Sequence, residues 1–279
     1  MTPPALTPRG LSCSTTDLRP PWAKSARPIV FMHGIGTNRD IWAGWLPALA
    51  GRRHCVRFDT RGYGRSTVPP LEHRWVMDEM VADLMEVAAT AGPGPAHLVG
   101  ESLGGTIVLA AAARHPDLVA SATVSNTAFR GAGIQYVKAW RDDFRRRGVK
   151  AWSRDMMERR FAPGALDEAQ RSWFESEQEK SPEHVTVGLG EMLAAADLTP
   201  ELGRIKCPLL ILMPDRSPFV PARMAVELSE HVPHAELTVY PGVRHGLPFS
   251  HATECSVRLA AFLDRAERGE TGRAALNRG

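Results

Sequence analysis

From residue 28 onward, short apolar runs alternate with longer stretches in which apolar residues recur every three or four positions. The short runs lie at 29–33, 55–59, 96–100, 119–125, 209–213 and 236–240, and the longer ones at 40–49, 75–89, 103–115, 222–231 and 252–266. Strands that alternate with helices in this way build βαβ units around a parallel sheet. The run Leu209-Leu210-Ile211-Leu212-Met213 is apolar throughout, as a strand covered on both faces must be. Pro116 follows the helix predicted at 103–115 and stops it.

Two segments leave this rhythm. Residues 1–27 hold several prolines and little apolar pattern, and read as an arm with one strand near residues 11–18. Between 133 and 197 there is no strand signal. Helical patterns fall instead at 134–147, 149–160, 166–179 and 182–196, separated by Gly148, Pro163-Gly164 and Ser181-Pro182. Helices inserted between two strands of a parallel sheet predict a lid over its C-terminal edge. The expected organisation is an arm (1–27), a core (28–130 and 199–266), a helical lid (131–198) and a polar, flexible tail (267–279).

Composition narrows the function classes. At 279 residues and 43% hydrophobic, the chain can bury a sizeable core. Its 34 basic and 31 acidic residues leave a net charge of only +3, which calls for neither nucleic acid nor a membrane surface. No apolar run has the length of a membrane span and no secretory leader is evident, so a cytoplasmic protein is expected. Cys13, Cys55, Cys207 and Cys255 lie far apart, with neither a CxxC pair nor zinc-ligand spacing. They read as free thiols, and no metal or cofactor is called for. The expected partner is a small-molecule substrate. No pattern bears on oligomeric state.

Three motifs carry chemistry. Gly100-Glu101-Ser102-Leu103-Gly104 follows the apolar run AHLVG and opens the helix LGGTIVLAAAARH. A G-x-S-x-G motif in a strand–turn–helix setting is a nucleophile elbow, which lifts the serine Oγ clear of the sheet. His33-Gly34-Ile35-Gly36 directly follows the run IVFMH. That loop can supply one backbone N–H of an oxyanion hole and the residue after the nucleophile the other, here Ile35 and Leu103. His33 is then free to order the loop. His245 lies in Gly242-Val243-Arg244-His245-Gly246, after the last predicted strand. A neutral imidazole there can take the serine proton and return it to the leaving group.

The segments HGIG, FDTRGYGRS, GESLGG and GVRH stand in the order and at the separations of the α/β-hydrolase family, and residues 28–265 resemble it. A closer likeness is to the 3-oxoadipate enol-lactonase branch. It rests on Ser125-Asn126-Thr127-Ala128, on MMERRFAPG in the lid, and on SPEH with AADLTPELGRIKCPLLIL. The resemblance implies an α/β-hydrolase fold: a mostly parallel central sheet, helices on both faces and an inserted helical lid.

One departure concerns the third catalytic member. The family's acid normally follows the strand PLLILM in a G-x-x-D-P pattern. Here Met213-Pro214-Asp215-Arg216-Ser217-Pro218 puts Ser217 at that position, with Asp215 two residues earlier. A second family position for the acid, after the run 119–125, holds Asn126. Asp215 is the expected partner of His245, reached by a local change in loop path. The alternative is that Asp215 caps a turn and a Ser–His pair works with a neutral orienter. Asp59 reads as a structural turn residue.

A serine nucleophile fits hydrolysis of a small carboxylic ester or lactone through an acyl-enzyme. The branch resemblance implies an enol-lactone from aromatic-compound breakdown as one such substrate. Two alternatives stay open: cleavage of a carbon–carbon bond next to a carbonyl, and a ligand-binding protein that turns over poorly, which the missing acid motivates. In the lid, Arg141, Arg145, Arg146, Arg147, Arg159 and Arg160 offer cations for an anionic substrate, and Tyr136, Trp140, Trp152 and Trp173 offer apolar walls. Trp140 and Arg141 are the expected substrate contacts.

Overall fold

The computed structural model describes residues 6–23, 26–134 and 139–271. Seven strands form one sheet in the order β1-β3-β2-β4-β5-β6-β7. They are β1 (Cys13–Thr16), β2 (Ile29–Met32), β3 (Cys55–Phe58), β4 (Ala96–Glu101), β5 (Val119–Ser125), β6 (Leu209–Pro214) and β7 (Glu236–Tyr240). β1, from the N-terminal arm, pairs antiparallel with β3; every other neighbour pair is parallel.

Successive side chains of the buried strands point to opposite layers. Val30 and Met32 pack on one side with α2 (Met77–Ala91), α3 (Leu103–Arg114) and α7 (Arg223–His231). Ile29 and Phe31 pack on the other with Trp42, Trp45, α1 (Leu46–Leu49) and α9 (Ala252–Glu267). This two-sided burial explains why the central strands read as unbroken apolar runs. The helix expected at 40–49 is a 3-10 turn over Arg39–Trp45 followed by the short α1. Pro47 at the start of α1 has no N–H to give, so it suits a restart rather than a helix interior.

Between β5 and β6 lie α4 (Trp140–Arg160), α5 (Glu168–Glu179) and α6 (Glu183–Ala195). The span α4 is two helices that meet at Gly148, whose backbone (φ 71°, ψ 172°) is not helical, as the expected break at that glycine requires; residues 135–138 of the first expected helix lie outside the described residues. Asp167 starts α5 with a reciprocal capping box to Gln170. The expected lid aromatic Tyr136 lies outside the described residues. Among the described residues no helix is long and apolar enough to cross a membrane.

The chain leaves β2 toward β3 on one side, while β4 lies on the other. In open α/β sheets the crevice beyond the strand C-termini at such a reversal is where ligands bind. The loops after β2, β4, β6 and β7 meet there.

Candidate active site

Ser102 sits between β4 and α3 with φ 52° and ψ −115°. Only Ser102 and Asn126 have positive φ among the described non-glycine residues, and a strained backbone of this kind clusters at functional sites. The sequence permits the turn because glycines let the helix approach the sheet. A Cβ at Gly104 would lie 2.4 Å from the Met32 carbonyl oxygen, and one at Gly100 would lie 2.4 Å from the Gly104 carbonyl oxygen. The Ser102 N–H donates to the Ser125 carbonyl at 2.9 Å, which fixes the turn on the end of β5.

His245 lies between β7 and α8 (Leu247–Ser250). Its Nε2 is 3.1 Å from Ser102 Oγ. The Phe219 ring meets the imidazole edge-on, with centroids 4.8 Å apart. The loop is anchored on both sides: Gly246 N–H donates to the Arg160 carbonyl at 2.8 Å, and Asn126 Nδ2 donates to the His245 carbonyl at 2.6 Å. Burial and the nearby Arg160 charge hold the imidazole well below its ordinary pKa. The ring is therefore neutral at neutral pH, as a general base must be.

The expected contact of His245 with Asp215 is not what the structure shows. The backbone of Asp215 continues the β6–β7 ladder, its N–H donating to the Tyr240 carbonyl at 3.2 Å. Its exposed carboxylate accepts from Gly242 N–H at 2.7 Å. Asp215 thus caps the turn after β7. Ser217 faces the histidine instead, with Oγ 2.9 Å from His245 Nδ1. The N–H groups of Phe219 (3.4 Å) and Val220 (3.2 Å) also donate to Ser217 Oγ. Ser217, which stands at the family's acid position, is the residue that faces the histidine, and the change of loop path expected for Asp215 does not occur.

Ile35 and Leu103 flank the serine. Leu103 is the first residue of α3, so its N–H has no acceptor within the helix. Ile35 is buried at the edge of the same cavity. His33 orders this loop, as the sequence allowed: Nδ1 donates to the Gly34 carbonyl at 2.7 Å, and Nε2 accepts from Thr60 N–H at 2.9 Å. Burial lowers its pKa, which suits that neutral tautomer. Asp59 is structural, accepting from the N–H groups of Arg39 and Arg65.

Of the two expected substrate contacts, Trp140 lines the cavity over Ser102 and Arg141 does not. Neighbouring helix residues point about 100° apart. Arg141 therefore turns outward, pairs with Glu191 at 2.6 Å and is about half exposed. The cation that does reach the cavity is Arg160, at the far end of α4 and almost fully buried. Its Nη2 donates to the Ile35 carbonyl at 2.6 Å, and Nη1 stands 3.9 Å from Glu101 Oε1. Glu101, directly before the nucleophile, is not among the residues that the sequence motifs mark for the site. It is buried, with Oε1 3.8 Å from His245 Nε2. Burial raises its pKa, against the opposing pull of Arg160 and of the hydrogen bonds from the Gly34 backbone and from Asn126. Among the described residues no group of three or more His, Cys, Asp or Glu side chains could hold a metal ion.

The family model for the alpha/beta hydrolase fold matches residues 27–252. The chain belongs to the α/β-hydrolase family. Among the curated relatives of this hydrolase is 3-oxoadipate enol-lactonase 2 of Acinetobacter baylyi. It is 25% identical over 250 residues, spanning 85% of this chain and 91% of that protein. Another is the pimeloyl-(acyl-carrier protein) methyl ester esterase of Chromobacterium violaceum, 30% identical, spanning 85% of this chain and 94% of that protein. Among crystal structures, the enol-lactonase of Burkholderia xenovorans superposes with a TM-score of 0.82 at 23% identity, covering 91% of this chain and 96% of that one. The likeness to the enol-lactonase branch read from the sequence recurs in both comparisons, and the hydrolase is an enzyme whose relatives include esterases and lactonases.

Proposed function

We propose that this hydrolase cleaves a small carboxylic ester or lactone through an acyl-enzyme on Ser102. The observation that carries the reading is the 3.1 Å contact between Ser102 Oγ and His245 Nε2 at a strained elbow opening α3. His245 takes the Ser102 proton as Oγ attacks the acyl carbon, and the Ile35 and Leu103 N–H groups receive the developing oxyanion. His245 then protonates the leaving alkoxide. Water repeats the sequence to free the acid. In this reading Ser217, a neutral group, orients the imidazole from Nδ1.

The acyl group meets mainly apolar walls, Trp140, Met156, Leu193 and Phe219 among them. Arg160 is already engaged by the Ile35 carbonyl and Glu101, so a small apolar acyl group is favoured over an anionic one. The cavity over Ser102 is narrow and is also lined by Ile35, Ile134, Val220 and His245. The relatives' names, an enol-lactonase and a methyl ester esterase, both denote cleavage of an ester linkage. The test is turnover of p-nitrophenyl acetate and of small lactones, with Ser102→Ala as control. Turnover lost in that variant supports the reading. Vinylogous diketones cleaved while every ester and lactone is left untouched would contradict it in favour of carbon–carbon hydrolysis.

A further inference from the structure

The position that usually holds the triad's carboxylate is occupied here by a hydroxyl, yet a carboxylate does lie against the histidine from the other side. Glu101 is 2% exposed, and its Oε1 is 3.8 Å from His245 Nε2, the atom that receives the proton. Two neighbours fix it there. Asn126 Nδ2 reaches both Glu101 Oε1 (3.2 Å) and the His245 carbonyl (2.6 Å), tying the carboxylate to the histidine backbone. Asn126 can do so because its backbone turns to φ 44° at the end of β5, a conformation asparagine tolerates better than most residues. Arg160 Nη1 lies 3.9 Å from the same oxygen. A cation and an amide donor both favour the ionised carboxyl. The other oxygen lies against Gly34, where a Cβ would stand 2.2 Å from Glu101 Oε2, and the hydrogen bond from the Gly34 backbone also favours the ionised carboxyl. The charged or titratable groups facing the imidazole are Glu101, Arg160 and the Ser102 hydroxyl; Ser217 and Phe219 contribute no charge.

We propose that Glu101 is a positioning residue for charge: it supplies, beside Nε2 of His245, the negative charge that Ser217 does not supply beside Nδ1. The proposal rests on Ser102 and His245 being nucleophile and base. When the Ser102 proton moves to Nε2, an imidazolium forms in a buried site that already holds Arg160. In this proposal Arg160, the Gly34 backbone and the Asn126 amide hold Glu101 ionised against the upward pull of burial, so it takes no proton and stabilises the cation through space. Its effect therefore falls on the chemical step and not on substrate binding.

The experiment is a double-mutant cycle, because coupling measured this way isolates one interaction from the general cost of substitution. Glu101→Gln is made in the wild-type chain and in Ser217→Asp, and kcat and KM are measured with p-nitrophenyl acetate. In the wild-type background kcat is expected to fall about ten- to a hundredfold with KM changed less than about twofold. In the Ser217→Asp background, where the usual position is refilled, the same change is expected to cost less than about threefold. Equal losses in the two backgrounds, or a change in KM alone, would overturn the proposal. Glu101→Gln leaves Arg160 uncompensated; if that variant does not fold, Glu101→Gln/Arg160→Met removes both charges together. Its kcat is expected to recover at least about tenfold on adding Ser217→Asp, and no recovery would overturn the proposal. A wild-type protein that turns over no ester and takes no phosphonate on Ser102 would instead overturn the reading of the site itself, and this proposal with it.

Discussion

The neutral hydroxyl of Ser217 makes a gain-of-function prediction. Ser217→Asp puts a carboxylate where Oγ now stands 2.9 Å from His245 Nδ1. Two unit charges about 4 Å apart attract by about 4 kcal/mol at an effective dielectric of about 20. The loop must yield slightly to fit the longer side chain, and the carboxylate loses part of its hydration. Against this, Phe219 N–H and Val220 N–H already point at the position and would hydrogen-bond the new oxygens. Discounting the attraction by about half leaves roughly 2 kcal/mol for the imidazolium-like transition state, or about thirtyfold in kcat. The assay is steady-state hydrolysis of p-nitrophenyl acetate across pH. The direction of the pH shift follows from the same charge. His245 is held below its ordinary pKa by burial and by Arg160, and an added anion raises it again. Activity requires the neutral ring, so the acid limb of the profile should move to higher pH while the plateau rises. An unchanged plateau and an unmoved acid limb, in a variant that melts like the wild type, would refute the assignment of Ser217 as the orienting partner.

Further outcomes follow from the same geometry. Asp215→Asn should cost less than about tenfold in kcat, because asparagine also accepts from Gly242 N–H and caps the turn; a loss near the ten-thousandfold seen when a serine protease triad loses its carboxylate would restore Asp215 to the site. Arg141→Ala should leave kcat/KM within about threefold, since its partner is Glu191 at the surface, whereas Trp140→Ala should change KM or acyl-length preference in the same ester panel. His33, His97 and His245 all have lowered pKa values, chiefly through burial. Each binds its proton more weakly when folded than when unfolded, so their contribution is fully present above about pH 6.5 and is lost as pH falls through the folded values. The melting temperature should accordingly drop on acidification from pH 7 to 5, and a flat profile over that range would contradict the neutral burial of these rings.

The fold was legible wherever two-sided burial wrote itself as an apolar run, as in Leu209–Pro214, and wherever glycine was forced by close backbone approach, as at Gly104. The serine and histidine were legible because an elbow and a post-strand histidine need particular local contexts. The rest of the site was harder for physical reasons. Nothing local marks which of two nearby polar residues turns inward, and because a carboxylate suits an imidazolium better than a hydroxyl does, the sequence points to Asp215 over Ser217. The structure shows that Asp215 is still part of the β6–β7 ladder and faces solvent. Arg160 and Arg141 lie on the two helices that meet at Gly148 in α4, and the break there sets their directions independently of any continuous helical period. Glu101 had a signal in plain view: a charged residue inside an elbow that must be buried. The G-x-S-x-G motif leaves that position open to any residue.

The central claim is that Ser102 is an activated nucleophile, and a fluorophosphonate tests it most directly. Intact-mass measurement followed by peptide mapping should find one phosphonyl adduct, on the peptide containing Ser102, formed far more slowly in His245→Ala and absent in Ser102→Ala. An unmodified wild-type protein, or an adduct that persists in Ser102→Ala, would contradict the account.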